Sequence, residues 1–114
     1  MNLDPILPEI YTFIDFTKHG CFTAVKKGLH EYTTHLGGGI PEEHPMPYNV
    51  YVPVREFLYK NPEQIDELVK YLTEEFSSKN YKFTDVNVTA GKCIIKRRFH
   101  RSREYPQINV KLSW

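Results

Sequence analysis

The hydrophobic period changes along this chain, and that change constrains the fold more than any other feature. Between Ile65 and Phe76 the apolar residues recur every three or four positions, which places them on one face of a helix. From Ile108 to Trp114 they alternate strictly with polar residues, the period of a half-buried strand. A chain of 114 residues normally builds one core. We therefore expect a single α+β domain over residues 1–114, with N-terminal helices and one amphipathic helix packed on a small, mainly antiparallel sheet.

Two helices are predicted in the N-terminal third. The first begins at Pro8 and ends at Gly20, and the second covers residues 21–36 before a run of three glycines stops it. Gly28 is expected to weaken the second helix by about 1 kcal/mol relative to alanine. Its apolar residues recur at spacings of three and four and are predicted to face the core; they are Phe22, Val25, Leu29, Tyr32 and Leu36.

The middle of the chain is predicted to hold a surface loop and an edge strand. The loop covers residues 37–47, which include three glycines and three prolines. Residues 48–54 alternate, with Val50, Val52 and Val54 on one side, as expected of a strand. Pro53 has no N–H to donate to a ladder, so this strand is expected at an edge.

The best predicted helix follows this strand. Asn61 is expected to cap it, with Pro62 in the first turn and Gln64 in the reciprocal capping position. One continuous apolar stripe is predicted to face the core; it consists of Ile65, Leu68, Val69, Leu72 and Phe76. Residues 63–75 carry five carboxylates and one lysine, so the outer face of this helix is predicted to be acidic.

A β-hairpin and a final strand complete the predicted fold. The period changes to two after residues 77–80, which predicts strands near residues 81–88 and 93–99 around a turn at residues 89–92. The final strand covers residues 108–114.

The second arm of this hairpin carries a basic segment, which is the strongest functional signal in the sequence. Residues 92–104 hold six lysines and arginines and one carboxylate. Guanidinium groups with aromatic rings between them suit phosphate contacts and base stacking, and a solvated face or a charged edge that blocks strand addition is the alternative. The candidate binding residues are Lys92, Lys96, Arg97, Arg98, Phe99, His100, Arg101, Arg103 and Tyr105.

Catalytic and metal chemistry find little support in the sequence. His30 and His35 are five apart, which on a helix turns their rings about 140° away from each other, so we expect no metal site there. Cys21 and Cys93 have no adjacent histidine and no second cysteine nearby. We expect both to be buried free thiols in a reducing compartment, and we expect neither a cofactor nor enzymatic activity.

Residues 61–114 resemble, in style, short orphan proteins of large DNA viruses. The features concerned are the capped acidic helix, the break Ser77-Ser78-Lys79-Asn80-Tyr81, the hairpin and the terminal strand. The resemblance implies an intracellular setting, in an infected host cell or a virion, and supplies no catalytic residues.

The leading hypothesis is a non-catalytic protein-interaction or structural protein. It would self-associate or bind a protein partner through its basic hairpin and acidic helix. The alternative is a nucleic-acid-binding protein that uses the hairpin, and an enzyme ranks third. A winged helix is disfavoured because the helix before the hairpin is acidic and would repel phosphates. We expect an intracellular location, cytoplasm or nucleus, with no membrane partner and no small-molecule substrate.

Overall fold

A computed structural model describes residues 2–38, 48–78, 81–97 and 100–114. Within these ranges the chain forms three helices and three strands. They are α1 (Leu7–Lys26), β1 (Glu31–Gly37), α2 (Tyr48–Lys60), α3 (Ile65–Phe76), β2 (Asp85–Arg97) and β3 (His100–Ser113), with short 3-10 turns at Asp4–Ile6 and Pro62–Gln64. The predicted α+β class is confirmed. No helix of the described part combines the length and the apolar character needed to cross a membrane.

The strands form one antiparallel sheet in the order β1-β3-β2. α1 contacts β1, α2 contacts β1 and β3, and α3 contacts β2 and β3, so the helices cover the sheet. The uncovered face is polar, as expected for an antiparallel sheet with one solvated side. There Lys111 Nζ lies 3.4 Å from Glu31 Oε2, and Gln107 Nε2 donates to Asn109 Oδ1 at 2.7 Å.

The core lies between the helices and the sheet, and the two strongest sequence patterns supply much of it. Ile108, Val110 and Leu112 of β3 are buried, as their alternation predicts. Buried residues of α3 meet them from the helical layer, and the predicted apolar stripe of this helix is confirmed; its fully buried members are Leu68, Leu72 and Phe76.

α1 runs through Gly20 without a break, so the predicted division into two helices at this residue is wrong. Gly20 is needed for close packing. A Cβ atom on it would overlap Cζ of Tyr32, so only glycine lets this ring from β1 rest against the helix.

Gly28 ends α1 and does not weaken the middle of a second helix as predicted. Its φ of +77° is the left-handed conformation that glycine adopts without strain. The N–H of Gly28 donates to the Val25 carbonyl at 3.0 Å, and the N–H of Leu29 donates to the Ala24 carbonyl at 2.9 Å, which together form a Schellman C-cap. Phe22, Val25 and Leu29 were predicted to face the core, but their side chains are 60%, 54% and 51% exposed. This part of the predicted apolar face is therefore wrong.

β1 takes the place of the rest of that predicted helix. Tyr32 and Leu36 pack against the core as expected, but they do so from alternate positions of a strand. A spacing of four puts two side chains on the same face of a helix and of a strand, so the pattern fits both. Pairing with β3, from Glu31 with Ser113 to Gly37 with Gln107, gives these residues their extended conformation.

The edge strand predicted at residues 48–54 is also wrong, since these residues begin α2. The buried residues Val50, Tyr51, Val54 and Leu58 follow helical spacing. Pro53 lies inside this helix, where it leaves one carbonyl without its usual donor. The predicted loop falls mainly on residues 39–47, which lie outside the described residues.

Asn61 acts at the end of α2 and not at the start of α3. Its Nδ2 donates to the carbonyl of Phe57 at 2.9 Å, and it makes no side-chain capping bond to the turn that follows. The predicted capping box with Gln64 is therefore wrong, although α3 begins where its apolar pattern predicts.

No turn interrupts β2 at residues 89–92. The strand runs through Gly91, which pairs with Gln107 of β3. A Cβ atom on Gly91 would lie 2.8 Å from Asn109 Nδ2, so the glycine reflects a close neighbour on the adjacent strand and not a change of direction. The hairpin exists, but its two arms are β2 and β3.

Both cysteines are free thiols, but only Cys21 is buried. Cys93 is half-buried, so the prediction that both are buried is wrong for Cys93. Burial raises the pKa of Cys21 to about 11, so roughly one thiol in a thousand is ionised at pH 8. We expect iodoacetamide to label Cys93 first at pH 8 and Cys21 only after denaturation, as measured by intact mass and peptide mapping. Equal labelling of both in the native chain, or a disulfide between them in freshly purified protein, would contradict this expectation.

Candidate functional site

The basic segment lies on a two-stranded extension of the sheet. β1 stops pairing with β3 at Gly37 and Gln107, whereas β2 and β3 continue to pair as far as Arg97 with His100. We call residues 92–97 and 100–106 the ribbon. It extends roughly 20 Å beyond the last β1 pair, because β2 continues for six residues from Gly91 to Arg97 at about 3.3 Å per residue. A register shift falls between Ile95 and Arg97.

The base of the ribbon is held by Tyr105, which is 1% exposed. Tyr105 is out of phase with the buried residues of β3 further along the strand, and α2 covers it beyond the end of β1. Its ring lies 5.2 Å from the ring of Tyr59, and the guanidinium of Arg55 lies 4.8 Å above its face. Tyr105 therefore supports the ribbon and does not offer its ring for stacking on a base.

Arg103 completes this aromatic anchor from the ribbon side. Its guanidinium lies 5.3 Å above the ring of Tyr59, and its Nη1 donates to the Tyr105 hydroxyl at 3.5 Å. This hydrogen bond is the main cause of a raised pKa for Arg103. We name Arg55, Tyr59, Arg103 and Tyr105 the anchor cluster; each guanidinium sits over a ring, the geometry of a cation–π contact.

Lys92 is paired within the ribbon. Its Nζ lies 3.0 Å from Glu104 Oε1, and both side chains are largely exposed. An exposed pair of this kind contributes at most about 1 kcal/mol to stability. Its main effect here is on charge. Glu104 neutralises Lys92, so the net positive charge of the ribbon comes from its other basic residues.

Those remaining residues form the end of the ribbon. The backbones of Lys96, Arg97, His100 and Arg101 belong to β2 and β3, while Arg98 and Phe99 lie outside the described residues. No carboxylate occurs between residues 93 and 103. The structure thus gives the side chains of Lys92, Arg103 and Tyr105 partners along the ribbon and at its base, and places the backbones of Lys96, Arg97, His100 and Arg101 at its far end.

Sequence reasoning missed Arg55 and Tyr59. Their spacing of four places them on one face of α2, but the strand predicted at residues 48–54 gives no reason to expect a helical face there. No group of three or more metal-ligating side chains occurs among the described residues, and His30 and His35 lie beside and within β1. Comparison of the chain with protein-family models, curated proteins and solved structures found no match.

Proposed function

We propose that this chain is a non-catalytic binding protein whose basic ribbon contacts the phosphate backbone of nucleic acid. The observation that carries the proposal is the register of the sheet. β2 and β3 run past the end of β1 as a two-stranded ribbon, and the sequence of residues 96–101 carries four cations and no carboxylate. A two-stranded ribbon fits the major groove of B-DNA, which is about 12 Å wide.

The chemistry of the ribbon favours contacts to phosphate over the reading of base sequence. Lysine and arginine neutralise phosphates and release counterions whatever the sequence, and this term dominates non-specific binding. The one ribbon aromatic ring whose side chain the structure describes, Tyr105, is buried in the anchor cluster. We therefore propose binding with little sequence preference.

An acidic protein surface is the second candidate partner, and a second copy of the chain offers one. The exposed side of α3 carries Asp66, Glu67 and Glu74, with Glu63 exposed just before it. This surface is complementary in charge to the ribbon, so two copies would attract through ribbon and helix. We rank it below nucleic acid because a projecting ribbon suits a groove better than the convex face of a helix.

The setting that we propose is intracellular, in an infected host cell or a virion. The two free thiols suit a reducing compartment. The viral part of this proposal rests on the resemblance of residues 61–114 alone.

The function is tested by removing the cations at the end of the ribbon. The ribbon variant replaces Lys96, Arg97, Arg98 and Arg101 with glutamine and leaves the anchor cluster intact. Loss of about four phosphate contacts is expected to weaken binding to a short fluorescent DNA duplex by about 10²-fold or more at low salt. Fluorescence anisotropy measures the affinity.

The matched control removes four exposed lysines elsewhere. Replacing Lys26, Lys60, Lys70 and Lys82 with glutamine gives the same net charge as the ribbon variant. The control is expected to bind within about threefold of the parent, because its lysines lie outside the ribbon. Equal losses in the two variants would mean that only net charge matters. A parent that binds no duplex but forms a dimer, lost in the ribbon variant, would assign the ribbon to the acidic helix of a second copy.

A further inference from the structure

A groove of about 890 Å³ lies between α1 and β1, on a different part of the molecule from the ribbon. This volume falls within the range of small-molecule sites. Ala24 and the ring of Tyr32 line its wall, and Gly20 lets that ring lie against α1. Phe16 and Leu29, at 40% and 51% exposure, extend the apolar surface to the rim.

Tyr51, from α2, is the unusual member of the groove lining. The residue is 0% exposed, and its hydroxyl is buried without a hydrogen-bond partner. Buried hydroxyl groups almost always have a partner, so an unpaired hydroxyl in the lining of a groove is the donor best suited to a ligand there. Burial, and then the neighbouring Tyr32, raise the pKa of Tyr51 to about 12, so this hydroxyl remains a neutral donor at physiological pH.

The mouth of the groove favours a negative ligand. Lys27, His19, His30 and Glu31 all line the groove, and the Glu31 carboxylate is paired with Lys111 Nζ at 3.4 Å. A cationic side chain at the rim of a partly apolar groove raises the local concentration of anions and disfavours cations.

We propose that this groove binds a small amphipathic carboxylate. The apolar part of the ligand lies along Ala24 and the Tyr32 ring, and a carboxylate oxygen accepts the hydrogen bond that the Tyr51 hydroxyl lacks. Lys27 supplies the charge that attracts the acid. Nothing in the sequence alone indicated a small-molecule ligand, because the groove is formed by α1, β1 and α2 together.

The test uses two probes with the same ring and opposite charge, 2-naphthoate and 2-naphthylmethylamine. Each is titrated into the ¹⁵N-labelled full chain at pH 7, and chemical-shift changes are followed. The carboxylate is expected to bind with saturation and to shift the amides of Gly20, Ala24 and Tyr32. The amine is expected to bind at least about tenfold more weakly.

Two variants locate the ligand. Tyr51→Phe removes only the hydroxyl, and it is expected to leave the melting temperature unchanged or higher while it weakens naphthoate binding at least about fivefold. Thr23→Trp fills the groove from an exposed position of α1 and is expected to abolish binding. Tyr11→Phe, on an exposed tyrosine that does not line the groove, is the matched control and should bind as the parent does.

The proposal is overturned by any of three results. They are equal affinity for the two probes, unchanged naphthoate affinity in the Tyr51→Phe variant, and saturable binding that persists in the Thr23→Trp variant. The last result keeps the test decisive even if the change at Tyr51 disturbs folding.

Discussion

Replacing Tyr105 with alanine is expected to lower the free energy of unfolding by about 3–5 kcal/mol, the usual cost of removing a large buried aromatic side chain. The ring is 1% exposed and contacts both Tyr59 and Arg55. Its loss leaves a cavity between α2 and the ribbon and removes the ring face that the Arg55 guanidinium covers. Urea denaturation followed by circular dichroism measures the effect.

Tyr105→Phe is the matched control for this change. It keeps the ring and removes the hydroxyl that accepts from Arg103 at 3.5 Å, a long hydrogen bond. We expect it to cost less than about 1 kcal/mol. If the alanine variant costs as little as the phenylalanine variant, the ring does not hold the ribbon.

Hydrogen exchange separates a local effect of the alanine variant from a global one. We expect the amides of residues 92–95 to lose protection first, because this part of β2 pairs with β3 beyond the end of β1. The amides of β1 are expected to keep more of their protection. Uniform loss across the sheet would show that the anchor cluster stabilises the whole fold and not the ribbon in particular.

The parts of the fold that were predicted correctly have patterns that fit only one period. β3 alternates at Ile108, Val110 and Leu112, and no helix places such residues on one face. The stripe of α3 recurs at mixed spacings of three and four, which no strand accommodates. In both elements the local pattern and the core agree, so the prediction needed no knowledge of the neighbours.

Two elements, β1 and α2, were predicted as the wrong type of secondary structure, and in both the apolar residues are four apart. Tyr32 and Leu36 were assigned to a helix and lie on β1, whereas Val50 and Val54 were assigned to a strand and lie on α2. A spacing of four satisfies both periods, so contacts with distant parts of the chain decide between them. For β1 the deciding contact is the ladder with β3.

The predictions for two glycines are also wrong because tertiary contacts decide their roles. Gly20 and Gly91 were taken for a helix stop and a turn, the commonest local roles of glycine. In the structure, each glycine makes room for a side chain from another element, Tyr32 in one case and Asn109 in the other. Such packing depends on tertiary contacts that no local pattern records.

Only part of the candidate site could be predicted from the sequence. The charge of the ribbon is a property of composition and was predicted from the sequence. The anchor cluster joins Arg55 and Tyr59 of α2 to Tyr105 of β3, and only the folded chain brings these elements together. It changes the role expected for Tyr105, from a surface for base stacking to the support of the ribbon.

The proposed contact between ribbon and phosphate predicts a steep dependence of affinity on salt. Each phosphate neutralised contributes about −0.9 to the slope of log K against log salt concentration for duplex DNA. If the four cations of residues 96–101 each contact one phosphate, the parent slope is about −3.6 or steeper, and affinity falls by about 10²-fold between roughly 50 and 200 mM salt.

The slope for the ribbon variant, compared with those for the parent and the control with four lysines replaced, therefore tests the central proposal most directly. Anisotropy titrations of all three proteins at a series of salt concentrations give the three slopes. We predict that the slope for the ribbon variant is flatter by up to about one unit per cation removed, while the control keeps the parent slope. A parent slope near zero, or the same slope for parent and ribbon variant, would contradict the proposal that this ribbon binds nucleic acid.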